Sequence, residues 1–118
     1  MFWAIIDEAA LRRPVGGHEV MRGQLERLLE AARRPTITLQ VLPFHAAEHA
    51  GMDGPFMIYD FSEPADPPVV YLETATSGLY LETPEELRRY TLLFDHLRAA
   101  AMKPRDSSEL LDGLDGEL

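Results

Sequence analysis

Cysteine is missing from this chain of 118 residues, which excludes disulfide bonds and cysteine-ligated zinc sites. No apolar run reaches the length that crosses a bilayer, and the first apolar residues follow no basic region of the kind that signal peptides carry. A glycine-rich phosphate loop is also missing, because Gly16 and Gly17 belong to no phosphate-binding pattern. We therefore expect a cytoplasmic protein with no membrane segment and no cofactor.

Lysine and arginine are missing from the middle of the chain. The formal net charge is −9, and the stretch from Pro35 to Leu87 contains acidic residues but neither Lys nor Arg. A DNA-binding surface needs clustered cations to neutralise phosphates, so we expect no direct nucleic-acid binding by this chain. The acidic stretch is either an ordinary solvated surface or a face for a basic partner. Its loop carboxylates without a basic neighbour in sequence are Glu48, Asp53, Glu63 and Asp66.

The first part of the chain has the pattern of a strand, a helix and a second strand. The apolar run over residues 2–6 is typical of a strand buried on both faces, as in a parallel pair. A helix is predicted from His18 to Arg33, because apolar residues recur on one face. Residues 36–42 alternate and predict a strand with one half-exposed face. Together these elements predict a βαβ unit.

The second part of the chain predicts three further strands and a long helix. The strands cover residues 56–61, 69–72 and 79–81. Thr83, Pro84 and Glu86 form a helix start with a capping box, and Pro104 is expected to end this helix. The sequence thus predicts an α/β (α+β) fold of order β-α-β-β-β-β-α, with two main helices on a mixed four- to five-stranded sheet. We expect one domain over residues 1–104 and an acidic, flexible tail over residues 105–118.

Several segments carry a family resemblance. The segments are FWAIIDEAALRRPVGGHEVMRGQLERLLE, ITLQVLPF, VVYLET and GLYLETPEELRRYTLLFDHLRAAAM. They resemble the C-terminal domain of actinobacterial XRE-family helix-turn-helix regulators of the WhiJ-like group, over about residues 2–103. The resemblance implies a non-catalytic, signal-receiving domain that binds a small, co-encoded partner protein, here without the helix-turn-helix. Self-association as a homodimer stays open.

A polar ligand pocket at the sheet edge is the alternative function. Asp7 and Glu8 follow the first strand, where open α/β sheets place ligand crevices. Arg12 is near them in sequence, and Glu73 ends another strand. The competing interpretation is an internal salt bridge between Glu8 and Arg12. The family resemblance described above extends to four polar residues at matching positions, which both interpretations explain: Glu8, Arg12, Gln24 and Glu73.

Two further residue groups are ambiguous. His45 and His49 match the H-x-x-E-H pattern of a zinc-dependent hydrolase, which needs both histidines on one helical face. Pro43 and Gly51 leave too little room for such a helix, so we reject a metal site and expect no enzyme. The tyrosines would line either a binding surface or the edge of the core, and their apolar neighbours favour the core edge; they are Tyr59, Tyr71, Tyr80 and Tyr90.

Overall fold

The computed structural model describes residues 1–13, 16–47, 55–61, 67–73 and 76–117. Its strands are β1 (Phe2–Asp7), β2 (Ile37–Leu42), β3 (Phe56–Tyr59), β4 (Val69–Glu73) and β5 (Gly78–Leu81). Its helices are α1 (Glu8–Leu11), α2 (His18–Ala32), α3 (Phe44–Ala47), α4 (Pro84–Ala100) and α5 (Pro104–Glu117). The fold is therefore α+β, as predicted. Among the described residues, no helix is both long and apolar enough to span a membrane.

The strands form two sheets, whereas the sequence predicted one. β1 pairs with β2 in parallel, and β3, β4 and β5 form an antiparallel meander in that order. The chain divides into two compact units, and the expectation of one domain over residues 1–104 stays a prediction. The first unit comprises Met1–His49 and Leu97–Leu118, and the second comprises Ala50–His96.

The first unit is built on the predicted βαβ arrangement. The register of the parallel pair runs from Phe2 opposite Ile37 to Asp7 opposite Leu42. The apolar stripe of α2 provides the buried Met21 and Leu25. The core cluster of this unit combines residues from α1, α2, β2 and α5: Leu11, Met21, Leu25, Leu39, Val41, Leu111 and Leu114.

Residues 104–117 form helix α5, where a flexible tail was expected. Pro104 occupies the first position of this helix, a site that proline favours because its fixed φ suits a helix and it has no N–H to leave unpaired. Leu111 is fully buried and Leu114 is nearly so, since their three-residue spacing puts them on one helical face. The acidic residues of the segment therefore coexist with an apolar face that joins the core.

Gln40 is buried, although the alternation of β2 predicted a half-exposed face there. Its Oε1 accepts a 2.7 Å hydrogen bond from the Trp3 indole, and its Nε2 donates to the carbonyl oxygens of Arg98 (3.3 Å) and Met102 (3.0 Å). The backbone of Val41 is also satisfied, because its N–H donates to Ser107 Oγ and its carbonyl accepts from Met102 N. The segment that joins α4 to α5 thus covers the outer edge of β2.

The second unit places residues 56, 58, 70, 72, 79 and 81 on one sheet face, as the strand register requires. Val70 is fully buried on this face, and the Phe56 ring packs 5.2 Å from the ring of Tyr90 on α4. The predicted capping box begins α4. Thr83 N donates to Glu86 Oε1 (3.3 Å), and Glu86 N donates to Thr83 Oγ1 (3.2 Å).

Candidate interaction surface

The opposite face of the β3-β4-β5 sheet is exposed and aromatic. The register sets Met57 opposite Tyr71 and Tyr71 opposite Tyr80, and Tyr59 lies two residues further along β3. These four residues are called the tyrosine face below. Met57 is 42%, Tyr59 41% and Tyr80 64% exposed, so the core-edge interpretation fails for Tyr59 and Tyr80. Because large apolar side chains are normally covered, a contiguous exposed group of them indicates a binding surface.

A glycine makes room for the central ring of this face. Gly78 lies opposite Glu73 and diagonal to Tyr71 in the antiparallel register. A Cβ placed on Gly78 would overlap the Tyr71 ring, within 2.5 Å of its Cε2 atom. The Tyr71 ring therefore lies directly on the Gly78 backbone, an arrangement known to compensate for a glycine in a strand. A larger residue at position 78 would displace the ring.

Contacts between neighbouring side chains fix the positions of the rings. The Tyr71 and Tyr80 rings are 4.9 Å apart between centroids and inclined at 44°, within the favourable range for aromatic pairs. The Tyr59 hydroxyl donates to Met57 Sδ at 3.4 Å. Because these rings are held before any partner arrives, binding costs less side-chain entropy than it would on a mobile surface.

Carboxylates flank the tyrosine face. Glu73 follows Tyr71 by two residues and is exposed at the end of β4. Glu82 follows Tyr80 by two residues and is exposed directly after β5. Neither Lys nor Arg occurs between Pro35 and Leu87. The sheet therefore presents aromatic rings bordered by negative charge.

The predicted polar pocket is only partly assembled. Asp7 Oδ1 accepts from Ala9 N at 3.0 Å and caps α1. Glu8 Oε2 accepts from Arg12 Nε at 2.8 Å, while its Oε1 accepts from Phe44 N at 3.2 Å. The salt bridge between Glu8 and Arg12 is therefore present, as that interpretation predicted. The Glu8 contact with Phe44 also ties α1 to the start of α3, which was not predicted. A ligand role for these residues stays a prediction.

The other two pocket candidates belong to other elements of the chain. Gln24 is exposed on α2 in the first unit, and Glu73 belongs to the second unit. A cleft of about 230 Å³ does exist beside α1, α2 and α5, with Leu11, Met21, Leu25 and Leu114 in its lining. This volume is below the range of about 300–1,000 Å³ that small-molecule sites usually have. A depression of about 380 Å³ is lined by residues of α4 alone, which cannot enclose a ligand.

Several predicted residues lie outside the described part of the chain. These are the loop carboxylates Glu48, Asp53, Glu63 and Asp66, together with His49. His45 is exposed on the four-residue helix α3. Within the described residues, no group of three or more His, Asp or Glu side chains is placed to hold a metal ion. The acidic loop surface therefore stays a prediction, and so does the rejection of a metal site at the histidine pair.

Comparison with known proteins identifies a family but no function. Residues 1–113 match the model of the domain of unknown function DUF5753, and the chain belongs to that family. The match covers both compact units, including β1 at one end and most of α5 at the other. Searches of curated proteins and of solved structures returned no match.

Proposed function

We propose that this DUF5753 member is a non-catalytic protein-interaction domain and that its partner binds on the tyrosine face. The exposure of Met57, Tyr59 and Tyr80 on one sheet face is the observation that carries the proposal. Single exposed apolar residues are common, whereas contiguous patches are more often interaction sites. Tyrosine is also enriched at protein interfaces, because its ring is apolar while its hydroxyl tolerates water.

The resemblance to XRE-family regulators gives this proposal a biological setting. In those actinobacterial proteins a separate helix-turn-helix binds DNA, and the C-terminal domain receives a signal through a small, co-encoded partner. The absence of Lys and Arg between Pro35 and Leu87 fits a domain that leaves phosphate binding to another part of the protein. We therefore propose a cytoplasmic role in transcription regulation, without catalysis and without direct DNA contact by this chain.

A sensor of small molecules is less well supported than a partner-binding domain. Both carboxylate oxygens of Glu8 already accept hydrogen bonds from Arg12 and Phe44, so a ligand at that point would have to displace existing contacts. The exposed rings of Tyr59 and Tyr80 stand on the face of a sheet, which suits another protein better than a small molecule.

Quantitative co-purification from the source organism tests the proposal. Tyr80→Ser removes an exposed ring from the tyrosine face, and Leu92→Ser removes a comparably exposed apolar side chain from α4 as a matched control. We expect Tyr80→Ser to reduce the recovered partner at least about tenfold, the loss typical of a central aromatic contact, and Leu92→Ser to retain it. Equal recovery with both variants would contradict the proposal.

A further inference from the structure

We propose that the tyrosine face receives an arginine side chain of a protein partner, with Glu73 and Glu82 as its counter-charges. This inference rests on the proposed function, because it names the partner chemistry that the same face recognises. It follows from three observations: the placement of the two glutamates, the exposure of the Tyr80 ring, and the absence of Lys and Arg from the three strands of the sheet.

A carboxylate follows each central ring by two residues. Tyr71 lies opposite Tyr80, and Glu73 follows Tyr71 on the same sheet face. Glu82 follows Tyr80 at the same spacing of two residues. Because strands rise about 3.3 Å per residue, the Glu73 backbone lies roughly 6.6 Å from that of Tyr71. The strands are antiparallel, so Glu73 and Glu82 follow the two paired rings at opposite ends, and we infer that a long cationic side chain laid across the rings meets a carboxylate at either end.

The first unit contains an internal example of such a contact. The Arg98 guanidinium lies 5.1 Å from the centroid of the Trp3 ring, within the distance at which cations are attracted to aromatic faces. The Tyr80 ring is 64% exposed, and the sequence around its sheet contains neither Lys nor Arg from Pro35 to Leu87. The corresponding cation for Tyr80 would come from a second molecule.

Arginine fits this face better than other side chains. Its planar guanidinium stacks on an aromatic ring while its N–H groups donate to carboxylates. An apolar partner residue would remove water from Glu73 and Glu82 without replacing their hydrogen bonds, which is costly. An acidic partner would meet repulsion from both glutamates. The tyrosine face therefore favours a planar cation, such as the guanidinium of arginine.

Titration of the full chain with short synthetic peptides tests this inference. The probes are capped pentapeptides that alternate glycine with arginine, lysine, glutamate or leucine, and the measurement follows the ring signals of Tyr71 and Tyr80 by NMR. Glu73→Gln combined with Glu82→Gln removes the proposed counter-charges. Glu19→Gln combined with Glu30→Gln changes the net charge equally on exposed positions of α2 and serves as the matched control.

The arginine peptide should shift both ring signals saturably and bind more tightly than the lysine peptide. The variant lacking Glu73 and Glu82 should bind it about tenfold more weakly, as expected when a charge-assisted contact is lost, and the control variant should bind it unchanged. An equal response to the leucine peptide, equal binding by both variants, or no response to the arginine peptide would each overturn the inference. Co-purification with Tyr80→Ser decides separately whether the face binds a partner at all.

Discussion

The two units of this chain differ in how the faces of their sheets are covered. In the first unit, core side chains contact one face of β2, and Gln40 on the other face bonds to the carbonyl oxygens of Arg98 and Met102. In the second unit, one sheet face contains the buried Val70, whereas the other presents Tyr59 and Tyr80 to solvent. In the first unit both faces of β2 are therefore in contact with other parts of the chain, whereas the second unit leaves exposed rings that already contact one another. If the proposed function is right, the first unit is a scaffold and the second carries the binding surface.

The largest expected effect concerns the core of the first unit. Leu111→Ala should lower the free energy of unfolding by about 2–5 kcal/mol, because Leu111 is fully buried and the change leaves a cavity. Leu92→Ala, at a position 53% exposed on α4, should change it by no more than about 0.5 kcal/mol. Chemical denaturation measures both. A loss below about 1 kcal/mol for Leu111→Ala would mean that α5 does not contribute to the core.

A pair of glycine substitutions should give effects of opposite sign in the two units. Gly78→Ala should destabilise the protein by about 0.5–1.5 kcal/mol, since the added methyl group pushes the outer end of the Tyr71 side chain away from its position. Gly23→Ala, in α2 with no atom within 4 Å of the added Cβ, should stabilise it by about 0.5–1 kcal/mol. Thermal denaturation compares the two. If Gly78→Ala is neutral, the Tyr71 ring does not lie on the glycine backbone.

The smallest expected effect concerns the start of α4. Thr83→Ala removes the side chain that accepts from Glu86 N and should destabilise the protein by about 1 kcal/mol. Thr91→Ala, an exposed position within the same helix, should change stability by less than about 0.5 kcal/mol. If urea denaturation shows equal effects of the two substitutions, the cap does not contribute to the stability of the protein.

Much of the fold follows from local sequence signals. Three of its features have the periodicity or spacing that their structures require. They are the apolar stripe of α2, the capping box at Thr83 and the strands of the βαβ unit. The role of Gln40 could not be predicted, because its partners Arg98 and Met102 are about sixty positions away in sequence. Helix α5 was missed since its many acidic residues outweighed the spacing of Leu111 and Leu114.

The tyrosine face could be predicted only in part. Tyr71 and Glu73 are spaced by two residues within β4, which places them on one face of that strand. Tyr80 and Glu82 have the same spacing, with Glu82 directly after the end of β5. This spacing is the pattern in the sequence that indicates a face with both aromatic rings and carboxylates. Which sheet face packs against a helix depends on contacts such as Phe56 with Tyr90, and no local pattern specifies them. Exposure of Tyr59 and Tyr80 therefore became evident only in the folded chain.

Methionine oxidation with and without the co-purified partner shows whether the partner covers the tyrosine face. Met57 belongs to the tyrosine face and is 42% exposed, while Met1, 98% exposed in the first unit, serves as an internal reference. Peroxide converts exposed methionines to sulfoxides, and mass spectrometry quantifies each site. We expect the partner to slow the oxidation of Met57 severalfold and to leave the oxidation rate of Met1 unchanged. Protection of Met1 with an unchanged rate at Met57 would contradict this expectation and place the interface in the first unit.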